Sequence, residues 1–457
     1  MKYAGKKVHF IGIGGISMCG LAEIMLHNGC TVSGSDRTDS AIIARLRTLG
    51  ITVFIGHDAA YQSDADIIVY TSAIAEDNPE LVAARAAGKP VIARADLLGE
   101  IMHAYDISIG VSGMHGKTTA SSMISTALYH CNKNPTVNIG GILPIFGSAS
   151  HIGGKDFFVL EACEYKDNFL SFKPDIAIIL NIEADHLDYF RDLEHIIESF
   201  SRYIAQIPSD GYCVYNADDA NVLRAIKSAR CTCIPISLEH EALYQATELV
   251  QHENACYDFS FVREGESLSR VALHVPGRHN VYNALASMAA LHIAGLCAQE
   301  ISDGISQYQG TQRRFQYMGE FFGCQLYQDY AHHPTEIRAT LQVARKISTG
   351  RLWSVFQPHT YSRTRALFTE FVQSFQGSDA SVFVPIYAAR EPDPGDMSSQ
   401  MLCEAIEAAY HPAFCYSASD FADAREYILQ HIQPGDTLFI LGAGDVEYMC
   451  PMMLEGR

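Results

Sequence analysis

The chain has 457 residues, 48% hydrophobic and 19% charged, the make-up of a soluble globular protein of roughly two to four domains rather than a disordered one. Its formal charge of −19 leaves nothing to offset repulsion from phosphate backbones, so neither a nucleic acid nor a membrane surface is expected as a partner. The amino terminus enters a strand too soon for a secretory signal, no apolar run reaches the roughly 18 residues of a membrane span, and the 13 scattered cysteines suit free thiols in a cytoplasmic protein better than a zinc site.

Residues 7–13 (KVHFIGI) read as a strand, followed by Gly12, Gly14 and Gly15 and by a helix from about Ile16 to Asn28. The next strand, TVSGS, ends in Asp36. Glycines, helix and a later acid form a near-dinucleotide fingerprint whose third glycine is displaced to Gly20, so a diphosphate-binding Rossmann-like unit is expected, its diphosphate unspecified. The alternation continues through a strand at 66–71, a helix near Glu80 to Ala87 and a strand at Val91, with a boundary near residue 104.

The following strand (Ile107, Ile109, Val111) opens into a turn with Gly110, Gly113 and Gly116, then Lys117, Thr118, Thr119 and a helical pattern. Such a loop cradles phosphates: glycines turn amide groups into a concave anion site, the helix N-terminus adds its positive end, lysine reaches the outer phosphates and a threonine hydroxyl can ligate Mg²⁺. The strict pattern asks for glycine at 111, where Val111 stands. A strand at 157–164 then delivers Glu161 and Glu164, and a second at 175–181 ends in Asn181, Glu183, Asp185, His186 and Asp188. Two acid clusters at strand ends behind a phosphate loop suit Mg²⁺, which takes hard oxygen donors.

Another strand, 212–216, ends in NADD, and residues 229–275 read as antiparallel hairpins on the sheet edge. His279, Asn280 and Asn283 then occupy the first turn of a helix, with Asn280 a candidate N-cap. A second break falls near 312–318, and the remainder is again βα, with strands into Asp329, at 352–357, 381–385 and 437–441. Asp329, His332, His333, Arg363 and Arg365 share one rim at strand-to-helix junctions, which favours an anion-binding edge.

The ordered motifs HFIGIGGISMCGLA, TSAI with NPE, GMHGKTT, EACE, NIEADHLDYF, NADD, PGRHNVYN, RRFQ, DYAHHPTE, FQPHTYSRTR, YAARE and GAGD span essentially the whole chain. On them the chain resembles a Mur ligase. The resemblance implies three α/β domains: a Rossmann-like unit at 1–104 for the UDP-sugar, a P-loop ATPase-type parallel sheet with a small antiparallel part at 105–312, and a Rossmann-like unit at 313–457 for the amino acid. It further implies an ATP-dependent amide-forming ligase of peptidoglycan synthesis, monomeric or homodimeric. L-Alanine would be joined to the lactyl carboxylate of UDP-N-acetylmuramate through an acyl phosphate; a muropeptide-recycling ligase that attaches a tripeptide to the same sugar is the alternative.

Carried over by position, Gly12, Gly14, Gly15 and Ser72 would face the UDP-sugar, with His115 near its lactyl end. Gly113, His115, Gly116, Lys117, Thr118 and Thr119 would cradle the triphosphate, His279, Asn283 and Arg314 would hold the nucleotide, and Asp329 the ribose. Thr118, Glu161 and His186 would serve Mg²⁺, and Tyr330, His332 and Arg363 would meet the amino acid or acyl intermediate. Lys117, His186, His332 and Arg363 are thereby the expected catalytic set. Three features depart from the pattern: Met114 where threonine is usual, Thr360 where some alanine-adding relatives carry arginine, and the absence of any lysine between Lys173 and Lys227 to act as a carbamoylated metal ligand. A nicotinamide oxidoreductase and a degenerate nucleotide-binding regulator are the readings from other classes.

Overall fold

The computed structural model describes residues 2–389 and 391–455, which build three α/β units, each around its own sheet. In the first, strands β1 (Lys7–Ile11), β2 (Thr31–Asp36), β3 (Thr52–Ile55), β4 (Ile67–Tyr70) and β5 (Val91–Ala93) lie parallel in the order β3-β2-β1-β4-β5. The chain leaves β1 toward β2 on one side and returns to β4 on the other. The crevice beyond the carboxyl end of β1 is therefore a topological switch point, and the Gly12–Gly15 turn sits there.

The second sheet has ten strands: β6 (Ile107–Ser112), β7 (Thr136–Leu143), β8 (Ser148–His151), β9 (Phe157–Glu161), β10 (Ile176–Ile179), β11 (Tyr212–Asn216), β12 (Thr232–Ser237), β13 (Tyr244–Gln251), β14 (Tyr257–Arg263) and β15 (Glu266–Ala272). β6 runs between β9 and β10, parallel to each, so the phosphate loop opens between the acid-bearing ends of its two neighbours. The hairpins expected over 229–275 begin only at β13. β12 is parallel to β11 because the helix Ala220–Ala225 between them makes a crossover rather than a turn.

The third sheet orders β16 (Gln316–Phe321), β17 (Cys324–Asp329), β18 (Leu352–Phe356), β19 (Ala380–Phe383), β20 (Phe414–Ser417) and β21 (Thr437–Leu441) as β16-β17-β21-β18-β19-β20, parallel except for β16 at the edge. β16, β20 and the helices Ser399–Tyr410 and Phe421–His431 add to the expected βα pattern there.

The helix Leu193–Ala205 shows how sequence pattern reaches the site. Ile196, Ile197, Phe200, Tyr203 and Ile204 form one buried stripe, and Asp192 caps its start by accepting from the His195 amide at 2.8 Å. Ser199, buried beside that stripe, donates to Asp167 Oδ1, while Tyr189 donates to Oδ2 of the same carboxylate at 3.0 Å. That pair holds the segment after β9 against His186, whose ring lies 4.7 Å from that of Tyr165. Phe200 is fully buried, so truncating it to alanine removes about 3–5 kcal/mol from the platform below the site. No described helix is long and apolar enough to cross a membrane, and the cysteines are free thiols.

Candidate active site

β6 ends at Ser112, and the loop 113–116 turns into the helix Lys117–His130. Gly116 takes φ +84°, and a Cβ there would fall 2.4 Å from Asn283 Oδ1, so glycine alone lets the loop and the helix Arg278–Ile293 approach this closely. No side chain caps the helix at Gly116, which leaves its first amides available to an anion. Lys117 Nζ donates to the carbonyls of Gly113 and Met114 (2.5 and 3.1 Å) and to Glu164 Oε1 at 3.0 Å. Glu164 is completely buried; burial alone would raise its pKa, but the Lys117 ammonium and the His186 ring outweigh it and hold the carboxyl below its ordinary value. Met114 is 6% exposed and packs in the apolar core, so the position that lacks a threonine hydroxyl fills space instead.

Glu161 closes the end of β9 and accepts from the Gly140 amide at 2.6 Å, while Thr118 approaches Gly141 next door. His186 stands on the other flank of the loop with φ +51°, its Nε2 3.5 Å from Glu164 Oε1. The structure thus groups Thr118 with Glu161 and pairs His186 with Glu164. The chemistry of this set, carboxylates, a hydroxyl and one imidazole, suits Mg²⁺.

Beside the loop lies a cavity of about 240 Å³, bordered by His115, Gly116, Thr119, His279, Asn283, Arg314 and Asp329 among others. Seven of the residues assigned to the nucleotide on resemblance are thus drawn together from all parts of the second and third units. The helix start here is capped by Gly277 at φ +101°; Asn280 is not the cap but a buried first-turn residue donating to the Pro276 carbonyl at 2.7 Å. His279 opens onto the cleft, yet the protein crowding around it depresses its pKa, so the ring is neutral at neutral pH. Asp329 accepts from the amides of Phe315 and Ala331, each at 2.7 Å; burial pushes it up to about 6 against the pull of Arg314. Arg313 and Arg314 each place a guanidinium 4.8 Å from the centre of the Tyr330 ring.

The third unit meets the second along one ionic seam. His115 Nδ1 lies 3.2 Å from Glu336 Oε1 and its Nε2 lies 3.7 Å from Glu183 Oε2. Burial opposes the ring's charge, but the two carboxylates prevail and push its pKa up to about 10, making it a cation at neutral pH. Glu336 also accepts from the His332 and His333 amides (3.1 and 3.3 Å), as the return half of a capping box whose N-cap is His333. His333 in turn donates from Nε2 to the Ala184 carbonyl at 3.1 Å, and Thr335 to Glu183 at 2.7 Å. His332 Nδ1 faces two acceptors, the Tyr330 carbonyl at 3.0 Å and Glu336 Oε2 at 3.3 Å, so its proton belongs on Nδ1. Burial holds that ring neutral, with a pKa down at about 3.

Arg363 donates from Nε to Asp185 Oδ1 at 3.0 Å and from Nη1 to the His359 carbonyl at 2.8 Å; its Nη2 reaches within 3.5 Å of His186 Nδ1. Arg365 points elsewhere and pairs with Asp396. Thr360 and Ser362 are tied to Glu391. Arg390 of YAARE lies outside the described residues.

In the first unit the Gly12 and Ile13 amides donate to the Ser35 carbonyl (2.8 and 3.0 Å), and Gly14 donates to Asp36 Oδ2 at 2.9 Å. Gly15 caps the helix Ile16–His27 without a side chain, and Ser72 is exposed nearby, its carbonyl accepting from Lys166 at 3.3 Å. Sequence reasoning passed over Glu336, and gave Asp185, Glu183 and Glu164 no individual role. Glu336 carried a signal in its place three residues after His333, the spacing of a capping box.

A phosphate loop, a nucleotide-sized cavity and a third unit closing on it define a three-unit α/β ligase class. The chain belongs to the Mur ligase family: residues 7–106 match the family's catalytic domain, 111–291 the Mur ligase middle domain and 313–444 the glutamate ligase domain. It is 45% identical over 458 residues to a UDP-N-acetylmuramate–L-alanine ligase of Acetivibrio thermocellus, covering 99% of this chain and 96% of that protein. The crystal structure of a UDP-N-acetylmuramate-alanine ligase from Thermotoga maritima is similar with a TM-score of 0.83 at 26% identity, covering 98% of each chain. A UDP-N-acetylmuramate:L-alanyl-gamma-D-glutamyl-meso-diaminopimelate ligase from Neisseria meningitides is similar at 32% identity with a TM-score of 0.61, covering 68% of this chain and all of that one.

Proposed function

We propose that the protein joins L-alanine to the lactyl carboxylate of UDP-N-acetylmuramate at the expense of ATP, giving UDP-N-acetylmuramoyl-L-alanine, ADP and phosphate for peptidoglycan synthesis. The observation that carries this reading is the full-length likeness to ligases so named, 45% identity across 99% of the chain, with the loop lysine and its partners intact. The unit divisions fall at residues 104 and 312, with the sugar nucleotide in the first unit, ATP in the second and alanine in the third. ATP and a nucleotide sugar are supplied in the cytoplasm, where we place the enzyme.

A carboxylate does not react with an amine in water, because oxide is too poor a leaving group. The lactyl oxygen therefore attacks the γ-phosphorus, the bond to the β,γ-bridging oxygen breaks, and ADP leaves an acyl phosphate. The alanine amine then attacks the acyl carbon, the C–O bond to phosphate breaks, and the amine gives up its proton as the amide forms.

The protein's contribution is positioning and charge. Lys117 turns from the Gly113 and Met114 carbonyls toward the outer phosphates while Glu164 keeps it charged. Thr118, Glu161 and His186 would hold Mg²⁺, with Glu164 a further carboxylate at His186; the ion would supply offsetting charge on the phosphoryl oxygens. His115, cationic between Glu183 and Glu336, meets the lactyl end. His279, Asn283, Arg314 and Asp329 line the nucleotide cavity. Arg363 and Tyr330 receive the alanine, and His332, neutral and weakly basic, orients it rather than removing its proton. Phosphate release with ATP and UDP-N-acetylmuramate across a panel of amino acids and the recycled tripeptide tests the reading. Alanine-dependent release supports it; release only with the tripeptide points to the recycling ligase.

A further inference from the structure

The third unit carries a pair of thiols that the ligase chemistry does not use. Cys403 lies within the helix Ser399–Tyr410, and Cys415 lies on β20, the strand that ends the sheet and is held on one side only, by β19. Their Sγ atoms are 2.9 Å apart, so the two need close by only about 0.9 Å to reach the ~2.0 Å of an S–S bond. Cys415 Sγ also donates to the Cys403 carbonyl at 3.3 Å. Between them the chain turns through His411, at φ +47°, and Pro412, which folds the strand back on the helix.

The two thiols are not equivalent. Cys403 is 4% exposed in an apolar cluster with Leu402, Ile406 and Phe383, whereas Cys415 is partly exposed. The Cys415 S–H directed at Cys403 lowers the Cys403 pKa, against burial and the Glu407 and Glu404 carboxylates. Cys415 is pushed up in turn, because it holds the proton that the two sulfurs share. The thiolate is the reactive form of cysteine. With so little surface open, Cys403 admits an oxidant of about the size of water and excludes a bulky one.

We propose that Cys403 and Cys415 form a peroxide-reactive dithiol that closes reversibly into a disulfide and pins the helix Ser399–Tyr410 to β20. The Cys403 thiolate attacks one oxygen of hydrogen peroxide, the O–O bond breaks, and the departing hydroxide takes up a proton as water. Cys403 is then a sulfenic acid. Cys415 sulfur attacks Cys403 Sγ, the S–O bond breaks, and the hydroxide leaves with the Cys415 proton as a second water. Two thiols thereby lose two electrons and two protons to one peroxide, and a thiol reductant reverses the change.

The clamp lies away from the ligase site. Cys415 pairs in register with Ser381 inside the sheet, whereas Asp329 and Arg363 stand at or beyond the carboxyl ends of their strands. Ser399, at the start of the helix, already donates to the Val384 carbonyl at 2.6 Å. Closing the bond therefore restricts the unfolded chain, stabilises the third unit and leaves turnover intact. It also spares Cys403 the irreversible steps of oxidation.

Treating the reduced full chain with one equivalent of hydrogen peroxide, then mapping peptides by mass without reductant, tests this. Cleavage at Glu404 and Glu407 separates the two cysteines, so only a disulfide keeps their peptides together. The expected result is a linked Cys403–Cys415 peptide that dithiothreitol releases, with a raised melting temperature and unchanged turnover of the oxidised protein. In Cys415→Ala the sulfenic acid persists on Cys403 and is captured by dimedone; in the parent it is not. A parent in which Cys403 stays a free thiol overturns the proposal, and that map decides even where the variant does not fold. Dimedone capture at Cys403 in the parent overturns it as well, since Cys415 then fails to close the bond. A cross-linked protein that melts no higher than the reduced one contradicts the clamp.

Discussion

Arg363 Nε lies 3.0 Å from Asp185 Oδ1, and this pair joins the helix after β18 to the loop after β10. With side chains only 11% and 5% exposed, neither charge has water as an alternative partner. Arg363→Ala therefore leaves Asp185 buried and alone, and the expected cost is about 3–5 kcal/mol in the thermal or urea unfolding of the protein. The conservative Arg363→Lys does not restore it, because an ammonium cannot reach Asp185 and the His359 carbonyl in the same fork.

The pair also sets an acid limit. Burial would raise the Asp185 pKa, but Arg363 and the neighbouring histidines hold it well below the carboxylate range. A depressed carboxyl stabilises the fold above its unfolded value of about 3.9, and that contribution is lost as pH falls through the lowered folded value. Asp185→Asn should remove this part of the acid dependence, measured as melting temperature against pH, and leave the neutral-to-basic arm unchanged.

His115 has the opposite sign. Its pKa rises from about 6.5 unfolded to about 10 in the fold. The stabilisation from its carboxylate partners is full below the lower value and disappears as pH climbs to the higher. The difference in melting temperature between the parent and His115→Gln should shrink steadily across that window. A difference that does not change with pH contradicts the assignment of a charged ring between Glu183 and Glu336.

Lys117→Ala should reduce turnover by at least a thousandfold, and it also lowers the melting temperature, because it leaves the completely buried Glu164 carboxylate without its cation. Glu164→Gln tests the partner: the lysine keeps its loop contacts but loses the carboxylate that favours its charge, so KM for ATP and kcat should both suffer. A Lys117→Ala protein with near-parental kcat contradicts the phosphate-loop reading.

His332 titrates near 3, so the pH profile of kcat between about 5 and 9 should carry no limb from it. His332→Gln is expected to raise KM for the amino acid more than it lowers kcat. A profile limb near neutral pH that vanishes in the variant identifies the ring as a base.

Much of this was legible before any coordinates. Glycines 110, 113 and 116 ahead of Lys117 marked the loop, and strand-end acids marked the flanks, because β6, β9 and β10 carry their signals within a few residues. Seven of the ten residues that sequence reasoning assigned to the nucleotide meet at one cavity, Gly113, Lys117 and Thr118 lying outside its lining, and that grouping came from resemblance; local pattern gave no reason to join His279 to Asp329. What stayed hidden is contact between distant segments. Glu336 looks like a helix cap and is one, yet the same carboxylate binds His115, 221 positions away. Glu164 was one of two acids at a strand end, and only the fold shows that it, rather than Glu161, pairs with Lys117 and His186. Met114 resisted a sequence explanation because its role is packing, and β12 was taken into a hairpin because a short helix before it gave too little periodic signal.

The central claim is that this site makes an amide between alanine and the lactyl group of UDP-N-acetylmuramate. Phosphate release with ATP, Mg²⁺ and UDP-N-acetylmuramate, with the product weighed by mass spectrometry, tests it most directly. The account predicts release that requires L-alanine and a product heavier than the sugar nucleotide by one alanine residue, neither of which appears with Lys117→Ala. Release that proceeds equally without any amino acid, or a product carrying a tripeptide but never alanine, contradicts it.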